Sequence, residues 1–235
     1  MSNEPFKFKQ FTVKQDQAAM KVGTDGVLLG AWTPIKTEKS ILDIGCGTGV
    51  ISLMLAQRSR AEITSIDIDL AAYQQAQDNF KNSKWSNRLF VQHASLQDFE
   101  ENNQKKFELI VSNPPFFSAE SIASSRAIAR SQNQLSHKQL IKLSKNLLSQ
   151  NGRFCCVVPI EQQQLFIDYG NEVGLYPSKI CEVKGKLGGK IKRTLLEFTT
   201  TPQEIESSEL VIELENRHQY SEAYTSLLKD YLIIF

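Results

Sequence analysis

The sequence predicts an α/β fold: a doubly wound, mostly parallel sheet with helices on both faces. Three observations predict it. Short apolar runs alternate with segments at helical spacing, the rhythm of a sheet built from β-α-β units. The run RFCCVVP (153–159) is apolar throughout, as in a strand buried on both faces. A glycine-rich turn, GCGTG (45–49), joins an apolar run to a helical one, as where a ligand meets such a sheet.

The elements follow in order. SILDI (40–44) reads as the first strand, and Ile51–Arg58 as a helix opened by the glycine turn. AEITSIDI (61–68) reads as a strand. AAYQQAQDNF (71–80) is rich in helix formers, with Asp69 as its cap. RLFVQH (88–93) is a short strand, and FELIVS (107–112) a strong one that ends at Asn113. In 135–152, Leu135, Leu140, Ile141, Leu143, Leu147 and Leu148 recur at helical spacing, and Asn151-Gly152 reads as the stop. The apolar strand 153–159 is followed by a helix near 161–172 and β-like stretches near 179–184 and 193–200. Residues 118–134, rich in Ser and Ala, and 184–193, rich in Gly and Lys, read as loops. YSEAYTSLLKDYLIIF (220–235) reads as an amphipathic helix with an apolar tail that packs onto the domain. Residues 1–35 precede the rhythm and are expected to form a flap or added strands on a single domain spanning 1–235.

The 235 residues carry 27 Lys+Arg against 26 Asp+Glu, so any nucleic-acid surface must be local rather than global. Cys46, Cys155, Cys156 and Cys181 form no C-x-x-C pair, and His93, His137 and His218 lack metal spacing, so no metal is expected. Neither a signal peptide nor an apolar run of membrane-spanning length is present, which predicts a cytoplasmic protein with no membrane partner.

Gly45, Gly47 and Gly49 let the backbone turn sharply and bring its N–H groups close to a ligand. Dinucleotide sites use G-x-G-x-x-G, whereas here the spacing is G-x-G-x-G, preceded by Asp43. A carboxylate there is a poor neighbour for a pyrophosphate and suits a cationic ligand, such as the amino-acid end and sulfonium of S-adenosylmethionine. Asp67 ends the next strand, where an acid can accept both ribose hydroxyls. Nicotinamide sites also place an acid there, so Asp67 alone does not discriminate.

Asn113-Pro114-Pro115-Phe116-Phe117 follows a later strand and should face the same cleft. The lone pair of an exocyclic amine is delocalised into its ring. The side-chain oxygen of Asn113 and the carbonyl of Pro114 can accept hydrogen bonds from such an NH₂ and free that lone pair. The prolines fix the backbone, and Phe116 can stack on a flipped base. Phe117 lines the pocket or packs. Arg126 and Arg130, in the loop that follows, can reach the phosphates of that nucleotide.

These residues resemble a known family. D-x-G-x-G-x-G followed by a strand-end acid resembles the S-adenosylmethionine-dependent methyltransferases, and NPPF resembles the (D/N/S)-P-P-(Y/F/W) motif of those acting on amino groups. FKQF, AMKVGTDGVLLGAW and RTLLEF extend the similarity to bacterial tRNA adenine-N6 methyltransferases that modify adenine 37 of valine tRNA. The resemblance implies a Rossmann-like class I methyltransferase fold with a seven-stranded sheet, S-adenosylmethionine as cofactor and the tRNA anticodon loop as partner. It implies that Asn113, Pro114, Pro115 and Phe116 are catalytic. It places Lys21, Gly23, Thr24, Asp25, Ile68, Ala94 and Ser95 beside the cofactor, with 1–35 covering its pocket. Phe117, Arg126, Arg130 and Arg193 would face RNA. Spacing alone favours a plain turn for Gly23–Gly26. Relatives carry an aspartate for the adenine amine where Ser95 stands, with Asp98 three residues on, so Ser95 or the backbone would serve here.

NPP-aromatic is shared by enzymes acting on adenine N6, guanine N2 and the glutamine amide of release factors. No DNA-reading domain is visible, and about 40 leading residues are too few for the extra domain of the release-factor enzymes. A non-catalytic protein that holds S-adenosylmethionine or RNA is the rival from another class.

Overall fold

Residues 3–115 and 135–235 are described by a computed structural model. The N-terminal segment forms a two-stranded antiparallel sheet, β1 (Phe6–Lys7) with β2 (Thr12–Val13), and then helix α1 (Thr24–Trp32). The core alternates as the sequence rhythm predicts: β3 (Ser40–Ile44), α2 (Val50–Arg58), β4 (Glu62–Asp67), α3 (Leu70–Lys81), β5 (Leu89–His93), α4 (Leu96–Asn102), β6 (Phe107–Ser112). After the undescribed segment come α5 (His137–Leu147), β7 (Leu148–Pro159), α6 (Gln163–Glu172), β8 (Tyr176–Lys186), β9 (Ile191–Thr199), β10 (Glu206–Glu213) and α7 (Glu222–Leu228).

The main sheet has eight strands in the order β10-β8-β9-β7-β6-β3-β4-β5. All neighbours are parallel except β9, which is antiparallel to both β7 and β8. Successive residues of a strand point to opposite faces, so one strand feeds two cores. Ile41 joins Leu53, Leu55 and Phe80 on the face covered by α1, α2, α3 and α7. Its neighbour Leu42 joins Phe99, Leu140 and Phe166 on the face covered by α4, α5 and α6. All four cysteines are free and buried.

Local chemistry explains the helix starts. Asp69 caps α3, its carboxylate accepting from Ala71 N at 3.0 Å as expected. Ser136 and Gln139 form a reciprocal capping box at α5. Two buried side chains of α3 clamp the N-terminal segment. Asn79 accepts from Lys14 N and donates to the carbonyls of Lys14 and Thr48, each at 2.9 Å. Gln75 accepts from Gln17 N at 2.9 Å. Buried Arg153 of β7 pairs with Glu38 and Glu197 and donates to the Pro34 carbonyl at 2.8 Å, which ties the α1–β3 connection to the sheet.

Four expectations need correction. The sheet has eight strands rather than seven, because Glu206–Glu213 pairs in parallel with β8 at the edge. Residues 1–35 contain helix α1 as well as added strands, and Gly23–Gly26 forms the N-cap and first turn of that helix. Helix α5 ends at Leu147, and the chain passes directly into β7 at Leu148. Gly152 lies inside that strand, where a Cβ would come within 2.8 Å of the Phe107 carbonyl. Segment 184–193 is a hairpin between β8 and β9 rather than an open loop.

Candidate functional site

Strand register builds the site. Ile44 of β3 is level with Ser112 of β6 and Ile66 of β4, and Asp67 of β4 is level with His93 of β5. Four adjacent strands therefore end together at their carboxyl edge. The first residue beyond each strand is Asn113, Gly45, Ile68 or Ala94, and all four line one cavity of about 240 Å³. Ile44, Ile66, Asp67, Ser95, Leu96, Gln97, Ser112, Pro114, Pro115, Leu135 and Leu140 complete the described part of its wall.

The glycine turn is shaped by three left-handed residues, Gly45, Gly47 and Gly49, with φ of +71°, +56° and +78°. Both Gly45 N and Cys46 N donate to the Ile66 carbonyl, at 2.9 and 3.1 Å, which seats the turn on the end of β4. Gly47 N donates to Asp67 Oδ2 at 2.8 Å, and Asp69 N to Asp67 Oδ1 at 2.9 Å. The carboxylate is thus fixed at the strand tip with lone pairs left over. Burial raises its pKa against the lowering effect of these two N–H groups. His93 donates a ring N–H to the Ile68 carbonyl at 3.0 Å, which holds the residue beside Asp67.

Asp43 sits deeper than the sequence suggests. It is fully buried and does not line the cavity. Its Oδ2 accepts from Ser52 Oγ at 2.6 Å, Ser52 Oγ lies 2.8 Å from Ser65 Oγ, and Asp43 Oδ1 has no partner among the described residues. Burial is the largest cause that pushes its pKa up to about 7, opposed by Ser52 and helped by Asp67. A positive charge brought close would favour the ionised form. The sign of the pH effect follows from the raised value. The neutral carboxyl favours the fold below the unfolded pKa, and that stability is lost as pH rises through about 7. The loss is roughly 4 kcal/mol between these limits. Urea unfolding of Asp43→Asn should show a flatter stability profile between about pH 4 and pH 7 than the parent protein. Parallel profiles would show that Asp43 does not carry this dependence.

Asn113 stands at the opposite wall. Its Oδ1 is buried without a partner among the described residues, and a Cβ on Gly26 of α1 would lie 3.9 Å from its Nδ2. Pro114 is buried and Pro115 exposed. The ring of His137 lies 4.9 Å from the ring of Phe166, and the Pro115 backbone acts to raise its pKa against the larger effect of burial. Its pKa is lowered, chiefly by burial. This histidine stands near the Asn-Pro-Pro segment, a placement that its isolated position in the sequence does not signal.

The remaining predicted residues divide. Lys21 Nζ donates to the Gln15 carbonyl, and Gly23, Thr24 and Asp25 form the start of α1, but none lines the described cavity wall. Asp25 and Arg193, expected at cofactor and RNA, pair with each other at 2.8 Å. Ser95 caps α4, accepting from Asp98 N at 3.1 Å and donating to Asp98 Oδ2 at 2.7 Å. Phe116, Phe117, Arg126 and Arg130 lie outside the described residues. Sequence reasoning missed Asn79, Gln75, Gln97 and His137, of which only the positions in space reveal a role. Among the described residues no group of three or more His, Cys, Asp or Glu is placed to hold a metal, and no helix is long and apolar enough to cross a membrane.

The residues present fit S-adenosylmethionine. A carboxylate at a strand tip suits a diol, apolar walls at Ile68, Leu96 and Leu140 suit a flat ring, and Gly45 leaves open space where a side chain would project. Comparisons with known proteins agree. A family model, the methyltransferase small domain, matches residues 20–166. A Flavobacterium psychrophilum protein named tRNA1(Val) (adenine(37)-N6)-methyltransferase is 48% identical over 97% of this chain and 99% of its own. A Bacteroides fragilis protein of the same name is 45% identical over 99% of both chains. Among solved structures, a predicted O-methyltransferase from Agrobacterium tumefaciens superposes with a TM-score of 0.71 at 15% identity, covering 88% of this chain and 96% of that one. A TehB-like SAM-dependent methyltransferase from Corynebacterium glutamicum superposes with a TM-score of 0.50 at 17% identity, covering 76% and 89%. At such identities the structural matches speak for the fold alone. The family model and the relatives, on this fold, make the chain an enzyme of the class I S-adenosylmethionine-dependent methyltransferases. Within that class, the chain belongs to the tRNA1(Val) (adenine(37)-N6)-methyltransferase family.

Proposed function

We propose that the protein transfers a methyl group from S-adenosylmethionine to N6 of adenine 37 in the anticodon loop of valine tRNA, in the cytoplasm. The family carries the substrate, and one observation carries the chemistry: a buried Asn113 Oδ1 in the cavity wall, without a partner among the described residues. The cofactor, when bound, supplies an electrophilic methyl on a sulfonium. Asp67 accepts the ribose hydroxyls with the lone pairs that Gly47 and Asp69 leave free. Asn113 Oδ1 accepts one N6–H of the target adenine and the Pro114 carbonyl accepts the other. Both contacts strengthen as the nitrogen becomes tetrahedral and positive, so they lower the barrier rather than merely hold the base. Asn113 and the Pro114 carbonyl would hold N6 toward the methyl group that the bound cofactor supplies, and the amine would release its proton to water. Phe116 stacks on the flipped base, while Phe117, Arg126, Arg130 and Arg193 contact the RNA. Residues 1–35 close over the cofactor, with Lys21, Gly23, Thr24 and Asp25 at its amino-acid end; the nearness of Gly26 of α1 to Asn113, whose Nδ2 a Cβ there would approach to 3.9 Å, supports this. A flipped loop base loses less pairing than a duplex base, which favours an anticodon-loop target.

A valine tRNA transcript with guanine in place of adenine 37 should accept no methyl group, while the unaltered transcript is methylated to completion. Equal labelling of both would place the target elsewhere. Asp67→Ala should weaken S-adenosylmethionine binding by about 1–3 kcal/mol, since ribose hydroxyls lose their acceptor. Unchanged affinity in calorimetry would remove Asp67 from the pocket.

A further inference from the structure

We infer that Gln97 reads the adenine edge of S-adenosylmethionine, in the role an acid at position 95 would otherwise fill; this rests on the cofactor reading above. Five polar side chains line the described cavity wall: Asp67, Ser95, Gln97, Ser112 and Asn113. Four are committed or placed elsewhere. Asp67 stands at the tip of β4, beside the glycine turn, on the ribose side. Asn113 stands at the end of β6, beside α1, on the transfer side. Ser112 Oγ donates to the Ile44 carbonyl at 3.0 Å.

Ser95 cannot act as the missing acid. Its one proton goes to Asp98 Oδ2 at 2.7 Å, and its oxygen takes the Asp98 N–H at 3.1 Å. Asp98 is no substitute, because it is exposed, points its carboxylate at Ser95 and does not line this cavity. Gln97 remains. It is half-buried in the second position of α4, lines the cavity beside Ile68 and Leu96, and makes no hydrogen bond within the described residues.

The chemistry matches. Adenine presents an amine donor next to a ring-nitrogen acceptor, and a carboxamide meets that pair with its own acceptor and donor. A carboxylate would satisfy only the amine. Ile68, which is 61% exposed, and buried Leu96 line the same cavity and offer apolar surface to the ring. Gln97 therefore sets cofactor specificity and does not touch the reacting atoms.

Calorimetric binding of S-adenosylhomocysteine, and of its analogue with hydrogen in place of the 6-amino group, to the parent protein and to Gln97→Met tests this. Methionine keeps the length and apolar contact of the side chain but offers no comparable hydrogen bond. The substitution should weaken S-adenosylhomocysteine about ten-fold and the analogue less than three-fold, with an unchanged unfolding temperature. Equal weakening of both ligands, or S-adenosylhomocysteine affinity within three-fold of the parent, would overturn the assignment of Gln97. A parent protein that binds neither ligand would overturn the cofactor reading as well.

Discussion

Asn113→Ala should lower the rate of methyl transfer to tRNA by about 10²–10³-fold, with cofactor affinity changed only a few-fold. The size of the effect follows from where Oδ1 sits. It is a buried acceptor with no partner among the described residues, in the wall of a cavity that Gly45 of the glycine turn also lines. Leaving such an acceptor unpaired is costly, and a donor arriving with the substrate removes that cost. The contact tightens as positive charge develops on N6, so its loss falls on the chemical step. Single-turnover rates with labelled cofactor separate this from binding. Turnover within three-fold of the parent enzyme would remove Asn113 from the chemistry and leave the fold untouched.

Gly49→Ala should destabilise the protein by about 3 kcal/mol, among the largest effects of any single methyl group here. Two costs add. Gly49 has φ +78°, where a Cβ crowds the backbone, and that Cβ would sit 2.4 Å from Cε1 of Phe80. Phe80 is buried on the face between α2 and α3 and cannot swing into solvent without opening the core. The same glycine is the N-cap of α2, so the turn and the helix would shift together. Urea unfolding of Gly49→Ala, alone and combined with Phe80→Leu, reports the steric share. An unchanged unfolding midpoint would show that the turn yields freely.

The site edge was legible because its strands are apolar runs ended by residues with their own chemistry. Glycines end β3, an aspartate ends β4 and asparagine-proline-proline follows β6, so each strand tip carries a chemical label. Helix α1 was not legible, because Gly26–Ala31 are buried without a polar stripe to mark a helical period. Strand β10 was hidden by its edge position, where ESSE keeps polar side chains outward and Leu210 alone is buried. The α5–β7 junction misled in another way. Leu147 and Leu148 both satisfy a helical stripe, yet Leu148 begins a strand paired with β6, since tertiary pairing outweighs local periodicity. Ser95 was visible as a departure from the family pattern, but its engagement with Asp98 and the availability of Gln97 are facts of packing. The pairing of Asp25 with Arg193 spans 168 positions of sequence and had no local signal.

The central claim is an adenine-N6 transfer to tRNA. Its most direct test is labelled S-adenosylmethionine offered to unmodified total tRNA, ribosomal RNA and duplex DNA, with nucleoside mass spectrometry of each product. The account predicts N6-methyladenosine in tRNA alone. Methylguanosine, or label confined to ribosomal RNA, DNA or a protein amide, would contradict it.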